Sequence, residues 1–354
     1  MKHSKMNHRF YFVASDIPEP LAQLLKSENS ISALDSSTFS EHSYLWGTQE
    51  WVWIVQTFLQ LKQAGLAVEL VEQPVPNAVC IAHFVTTKNK VWGPESFVVG
   101  IRSDTSPMRM REFEVVQSPA LLKKENASLM CHWPQRHVCP RDPARENKIE
   151  TVSYFGGPGG LSPAFYSSSF KGALESRGLS LNLCFDTNLW GNYRDTDLVI
   201  AVRNHHHSAL IETKPASKLL NAWQAGCVAL LGKEPAYRFV GEEGKNYFEV
   251  ETPEAAIAII DRLKNSPEIY QRMREAGAAK FLEYNAEAVT QQWIELLEGP
   301  VTAAFLQWQS ERTSNASLRY LRRYWQAARQ WVDHKLFYLP IRSQEMLSKL
   351  GQKS

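Results

Sequence analysis

The chain has 354 residues, 44% of them hydrophobic and 21% charged, and a formal net charge of +2. That length is comfortable for two hydrophobic cores, and the composition is that of an ordinary soluble globular protein. The near-neutral balance, with 11 tryptophans scattered rather than set among basic residues, argues against a nucleic-acid partner.

Five widely spaced cysteines show no metal-ligand spacing. Cys80, Cys184 and Cys227 sit in apolar runs as small core residues, which fits a reducing cytoplasm. The first apolar run, residues 10–14, is too short for a signal-peptide core, and no run reaches membrane-spanning length.

In chain order, "RFYFVAS" at 9–15 reads as a buried strand, and residues 27–47 as a long polar loop. Thr48 is placed to cap a helix over 49–64 whose apolar positions are Val52, Val55, Leu59 and Ala64, with Gly65 as its stop. "LAVELVE", "NAVCIAHF", "SFVVGIRSD" and "EFEVVQS" are further strands, and "SLMCHWPQ" closes this half.

Residues 134–148 carry three prolines and clustered basic residues and read as a linker. The pattern then restarts: a strand at 149–156 enters the glycine-rich "GGPGGLSPAF", a helix follows, and two strands end at Phe185 and Arg203. A helix opened by "KPASK", the strand "CVALLG", a short strand and two helices from Pro253 and Pro267 complete the unit. The prediction is an α/β fold of two Rossmann-like domains, 1–140 and 141–300, facing across a cleft, with C-terminal helices over 301–354 packing across both. The aromatic and basic segment ending at 339 also fits a membrane-surface helix, but the three- and four-residue spacing of Trp325, Ala328 and Val332 favours packing on the domains.

Ligands of open α/β sheets bind outside the carboxyl ends of the strands. Arg203 ends one strand there, and Lys214, Ser217 and Lys218 stand at the mouth of the helix that ends at Gly226. Cations at a helix N-terminus oppose its dipole, at roughly 0.3–1 kcal/mol each, and make better sense with a ligand anion between them. Ser217 is a candidate cap or phosphate donor. Gly156, Gly157, Gly159 and Gly160 let backbone approach a ligand, although the run is not a dinucleotide fingerprint.

The adjacent histidines 205–207 have no partner cluster, so no metal is expected. In the first domain, His83 either positions a sugar or acceptor hydroxyl or is a hydrogen-bonded structural histidine, and Gly47, Thr48 and Asp104 border the same mouth.

From "KPASKLLNAWQAGCVALLG" to Gln292-Trp293, the sequence resembles the C-terminal half of retaining GT-B glycosyltransferases, in particular glycosyltransferase family four. The resemblance covers residues 196–297 and rests on architecture alone over 1–150. It implies a nucleotide-sugar donor substrate with no further cofactor, a glycan or lipid-linked acceptor, and metal-free transfer with the leaving diphosphate held by basic residues, which agrees with the reading of Arg203, Lys214 and Lys218. Arg203 and Lys218, with His83 of the first domain, are the catalytic candidates. The family's paired glutamates are replaced by Thr213 and Asn221. Asn221 can still hydrogen-bond ribose or sugar, and Glu234 is a substitute sugar contact. The alternatives are a non-catalytic nucleotide- or sugar-binding protein on the same fold and an exported solute-binding protein, against which the missing signal sequence argues. A cytoplasmic location is expected, with peripheral attachment to the inner membrane face as the weaker variant.

Overall fold

The computed structural model describes residues 8–15, 17–27, 48–88, 90–122, 125–203, 208–312 and 315–351. The polar loop up to Gly47 and the histidine run lie outside these. The chain forms two compact units, one of residues 1–117, 121–130 and 290–354, the other of 118–120 and 131–289.

The first unit is a six-stranded, wholly parallel sheet of β1 (Phe10–Val13), β2 (Val68–Val71), β3 (Val79–His83), β4 (Phe97–Ile101), β5 (Phe113–Val116) and β6 (Ala127–Leu129), in the order β2-β1-β3-β4-β5-β6. The central strands β3, β4 and β5 are buried at every position, so their sequences are continuous apolar runs rather than alternating ones. The expected helix after Thr48 is present, with a π-turn over Trp51–Val55 leading into Gln56–Gln63. Gly65, at φ +83°, ends it: its N–H bonds the carbonyl of Lys62 and that of Leu66 bonds Leu61, the paired closure of a Schellman motif.

Burial on this helix is wider than the single apolar stripe expected. Trp53 and Phe58 are both buried; Phe12 of β1 meets Phe58 at a ring distance of 6.4 Å, and Trp293 meets Trp53 at 6.5 Å. Ala64, expected on the buried face, is exposed.

Trp293 belongs to the helix Ala286–Leu296, which begins the chain's return to the first unit. The long helix Ala316–Gly351 also packs there, not as the packing of Trp325, Ala328 and Val332 anticipated. Its buried side carries Arg323, paired with Glu112 at 2.8 Å, and Gln330, whose Oε1 accepts from the Arg109 amide at 2.7 Å. Trp325 and Val332 lie two positions on, about 200° around the helix, and are 59% and 45% exposed.

The second unit has five parallel strands, β7 (Thr151–Phe155), β8 (Ser180–Cys184), β9 (Leu198–Ala201), β10 (Val228–Leu231) and β11 (Phe248–Glu249), ordered β11-β10-β9-β7-β8. The order reverses between β7 and β9, and a doubly wound sheet opens its ligand crevice at that point.

The proline-rich segment expected as a linker instead packs into the second unit. Asp197, fully buried at the entry to β9, accepts from Arg141 Nε at 2.8 Å, Arg145 Nη2 at 2.7 Å and the amides of Glu150 and Thr151 at 2.8 and 2.9 Å. Burial alone would raise this carboxyl's pKa; the hydrogen bonds from Arg145 and the two amides, with the charge of Arg141, outweigh burial and lower it. Breaking one side of a buried, hydrogen-bonded ion pair costs about 3–5 kcal/mol. Asp197→Asn should therefore lower the urea stability of the second unit by that order. A variant as stable as the parent would show that the arginines are held by something else.

Candidate functional site at the carboxyl edge of the second sheet

Three neighbouring strands of the second sheet end side by side, β7 and β9 at its switch point and β10 next to β9. β7 runs out into Gly156, β9 into Val202 and Arg203, and β10 into Gly232, Lys233 and Glu234. The Ser162 amide bonds the Val202 carbonyl at 2.7 Å and the Gly232 amide bonds Ala201 at 2.9 Å, so the outlets are tied to one another by backbone.

Arg203 projects from the end of β9. Its Nη1 donates to both carboxylate oxygens of Glu234 and lies 3.5 Å from the Tyr237 hydroxyl. Burial works against its charge, but Tyr237 and Glu234 outweigh burial and hold it charged. Glu234 is 2% exposed, and burial raises its pKa against the pull of Arg203. Among the described residues only Nη1 of the guanidinium is bonded, and the side chain keeps 17% of its surface open.

Lys218 stands on the first turn of the helix Ser217–Ala225 and leans back over its N-terminus, as helical side-chain directions require. Its Nζ donates to the Phe155 carbonyl at 2.6 Å and lies 5.2 Å from the centre of the Tyr154 ring. Burial first, then the charges of Arg203 and Lys214, bring the amine down to about 7, with Glu234 opposing. The helix has no side-chain cap: Ala216 occupies the cap position and Ser217 is the first helical residue. Ser217 is thus not the N-cap. The helix ends as expected at Gly226, φ +75°, with the Cys227 amide on the Ala222 carbonyl at 2.8 Å.

The four glycines divide into two pairs. A Cβ on Gly156 would come within 2.5 Å of the Tyr154 hydroxyl and 2.9 Å of Lys218 Nζ, and one on Gly160 would also strike that hydroxyl. These two make room for Tyr154, whose hydroxyl donates to the Gly157 carbonyl at 2.9 Å. Gly157 and Gly159 border open space.

The other expected site residues are more scattered. Lys214 lies in the turn before the helix, near enough to act on Lys218 and Glu234. Asn221, one turn below Lys218, donates its amide to Gln135 at 2.7 Å. Thr213 is buried, and its hydroxyl donates to the Leu210 carbonyl at 2.7 Å.

In the first unit Thr48 is exposed at the helix start, Asp104 is half-buried in the turn after β4, and Gly47 is outside the described residues. His83 ends β3 as expected, but it is fully buried and both ring nitrogens are engaged. The Val85 amide donates to Nδ1 at 3.2 Å, which places the proton of the neutral ring on Nε2, 2.8 Å from Ser103 Oγ. The hydrogen-bonded structural reading of His83 is the one this geometry supports.

Sequence reasoning missed Tyr154 and Tyr237, and with them the pairing of Arg203 to Glu234. The spacing Glu234-x-x-Tyr237 at a helix start opened by Pro235 was the available signal, since i and i+3 lie on one face. Among the described residues, no group of three or more His, Cys, Asp or Glu could hold a metal ion.

No known family model and no curated protein matches the chain. Among solved structures it is similar to HepE from Anabaena in complex with UDP and glucose, at 12% identity and a TM-score of 0.48, over 83% of this chain and 100% of that one. It is similar to sucrose-phosphate synthase from Thermosynechococcus elongatus at 12% identity and a TM-score of 0.44, over 74% of this chain and 80% of that one. It is also similar to TarM at 11% identity and a TM-score of 0.44, over 62% of this chain and 54% of TarM. At these scores the likenesses carry no argument about what this chain does.

Burial brings the His83 imidazole down to about 3, with Asp104 opposing. An imidazole with an ordinary pKa near 6.5 when unfolded and a lower one when folded contributes stability that is full above about 6.5. That stability is lost as pH falls toward 3, at up to about 1.4 kcal/mol per pH unit. The expected outcome is a first-unit unfolding transition that weakens below pH 6.5, with one proton's worth of that slope removed in His83→Asn. Identical slopes for parent and variant would contradict the buried neutral ring.

Proposed function

We propose that the chain is a metal-independent, retaining glycosyltransferase that takes a nucleotide-sugar donor at the carboxyl edge of its second sheet and moves a hexose to a glycan or lipid-linked acceptor. The observation that carries this reading is Lys218 on the first turn of an uncapped helix beside Gly156, within reach of the charge of Arg203 at the end of β9, at the switch point of a parallel sheet whose Gly157 and Gly159 border open space. Two cations, helix N–H groups and open backbone are the parts needed to hold a diphosphate.

In the transfer, the bond from the anomeric carbon to the diphosphate oxygen breaks and the acceptor oxygen bonds that carbon on the same face. The acceptor proton leaves with the departing phosphate. Charge grows on that phosphate, and Lys218 and Arg203 act where it grows. Glu234 holds one edge of Arg203, so the guanidinium is oriented before donor arrives.

A second reading, a non-catalytic nucleotide or sugar binder on the same fold, is favoured by the positions that replace the paired glutamates. Thr213 is buried and Asn221 is bonded to Gln135. Binding without hydrolysis or transfer of any nucleotide sugar would select it.

A thermal-shift screen over UDP-, GDP-, ADP- and TDP-sugars should find one that stabilises the protein by about 2.7 kcal/mol at 100 times its dissociation constant. Transfer from that donor should persist in EDTA, and Lys218→Ala should slow it by about 30- to 1000-fold, the loss of roughly 2–4 kcal/mol of transition-state stabilisation. Arg203→Ala alone would strand a buried carboxylate, so the informative variant is Arg203→Ala with Glu234→Gln, and it should lose transfer to the same order. Parent-like turnover and nucleotide affinity in both variants would remove the diphosphate reading.

The Lys218 amine also predicts a pH signature. A bound anion raises its pKa from about 7, so binding takes up a proton above that pH and affinity weakens as pH rises. Calorimetry in two buffers of different ionisation heat should show uptake at pH 8 in the parent and less in Lys218→Met. Equal uptake in both would place the proton elsewhere.

A further inference from the structure

The helix Ala316–Gly351 turns a row of apolar side chains outward. Leu318, Trp325 and Val332 recur at seven-residue intervals and are 56%, 59% and 45% exposed, with Leu321 at 67% and Leu336 at 60% beside them. From Leu318 to Leu336 the row runs roughly 27 Å along the helix. Tyr324 and Trp331 flank it, also exposed. Single exposed apolar residues need no explanation, but a continuous ridge of this length does.

The charges around the ridge decide what covers it. Between 316 and 339 the sequence holds five Arg and Lys and a single acid, Asp333. Arg319 pairs with Glu95 and Arg323 with Glu112, and Asp333 pairs with Arg109, so that acid is spent within the unit. Arg322, Arg329 and Lys335 are exposed, with Arg329 over the Trp325 ring at 5.2 Å and Lys335 over Trp331 at 5.4 Å. A second copy laid along the ridge would set these cations against their equals. An anionic surface would meet them.

We infer that this ridge lies on an anionic lipid bilayer, with Leu321, Trp325 and Val332 in the headgroup–acyl boundary and Arg322, Arg329 and Lys335 among the headgroups. Aromatic and aliphatic side chains on one face with basic residues at its edges are the composition of an in-plane interfacial helix. No described helix is long and apolar enough to cross a membrane, so the helix rests on the surface and does not span it. The inference stands apart from the transferase reading and needs no nucleotide.

The test is flotation of the full chain with vesicles of phosphatidylcholine, with and without phosphatidylglycerol. The parent should float only with the anionic vesicles, and Trp325→Glu/Val332→Glu should stay at the bottom with an unchanged melting temperature, since both residues are exposed. Arg322→Gln/Arg329→Gln should weaken anionic binding by about fivefold per charge removed. The inference is overturned if the parent stays unbound at low salt, if the double glutamate variant floats as well as the parent, or if sedimentation shows a parent dimer that the same variant dissolves.

Discussion

The buried carboxylate of Asp197 is the contact on which the second unit's order depends. Two guanidinium groups and two amides converge on it, and its own carbonyl accepts from the Tyr270 hydroxyl at 3.0 Å. One residue thereby ties the proline-rich segment and the entry to β7 through its side chain and the helix Pro267–Phe281 through its backbone to the entry of β9. Arg203 lies six residues further along the chain, just past the end of β9. A slip of one residue at Asp197 would turn every side chain of β9 to the opposite face of the sheet and shift Arg203 at its outlet. The geometry of the crevice is thus set from the far end of the strand.

Within the crevice the electrostatics are arranged at a cost. An amine held near neutrality and a carboxylate closed off with a single arginine are both worse for folding than apolar residues of the same shape. Such an arrangement gives up stability for a charge distribution that is fixed in advance. Gly156 shows how tight the arrangement is: any side chain there would meet both Tyr154 and Lys218.

Much of the fold was legible because parallel strands buried on both faces are continuous apolar runs, as in "CIAHF" and "VALLG". Gly65 and Gly226 marked their helix ends because only glycine takes the left-handed turn there without strain. The places of Arg203 just past a strand end and of Lys218 on a first helical turn were legible from the apolar runs beside them. His83 was not, because spacing cannot show that the Val85 amide and Ser103 occupy its ring. The proline-rich segment misled for a similar reason: its arginines are surface-like in composition, and their buried partner lies about fifty residues ahead. On the long helix the period was right and the phase wrong. Seven-residue spacing marks both the Arg323 and Gln330 face and the Trp325 and Val332 face, and composition favoured the aromatic one.

The contact of Trp53 with Trp293 has a bearing on how the chain comes into being. The second unit is a single uninterrupted insertion apart from residues 118–120, while the first is completed only by residues from Thr290 onward. On a ribosome the second unit has its full core while Trp53 still lacks its neighbour. The part synthesised first finishes last: Trp53 stays without its aromatic neighbour until the segment that carries Trp293 has followed the whole second unit.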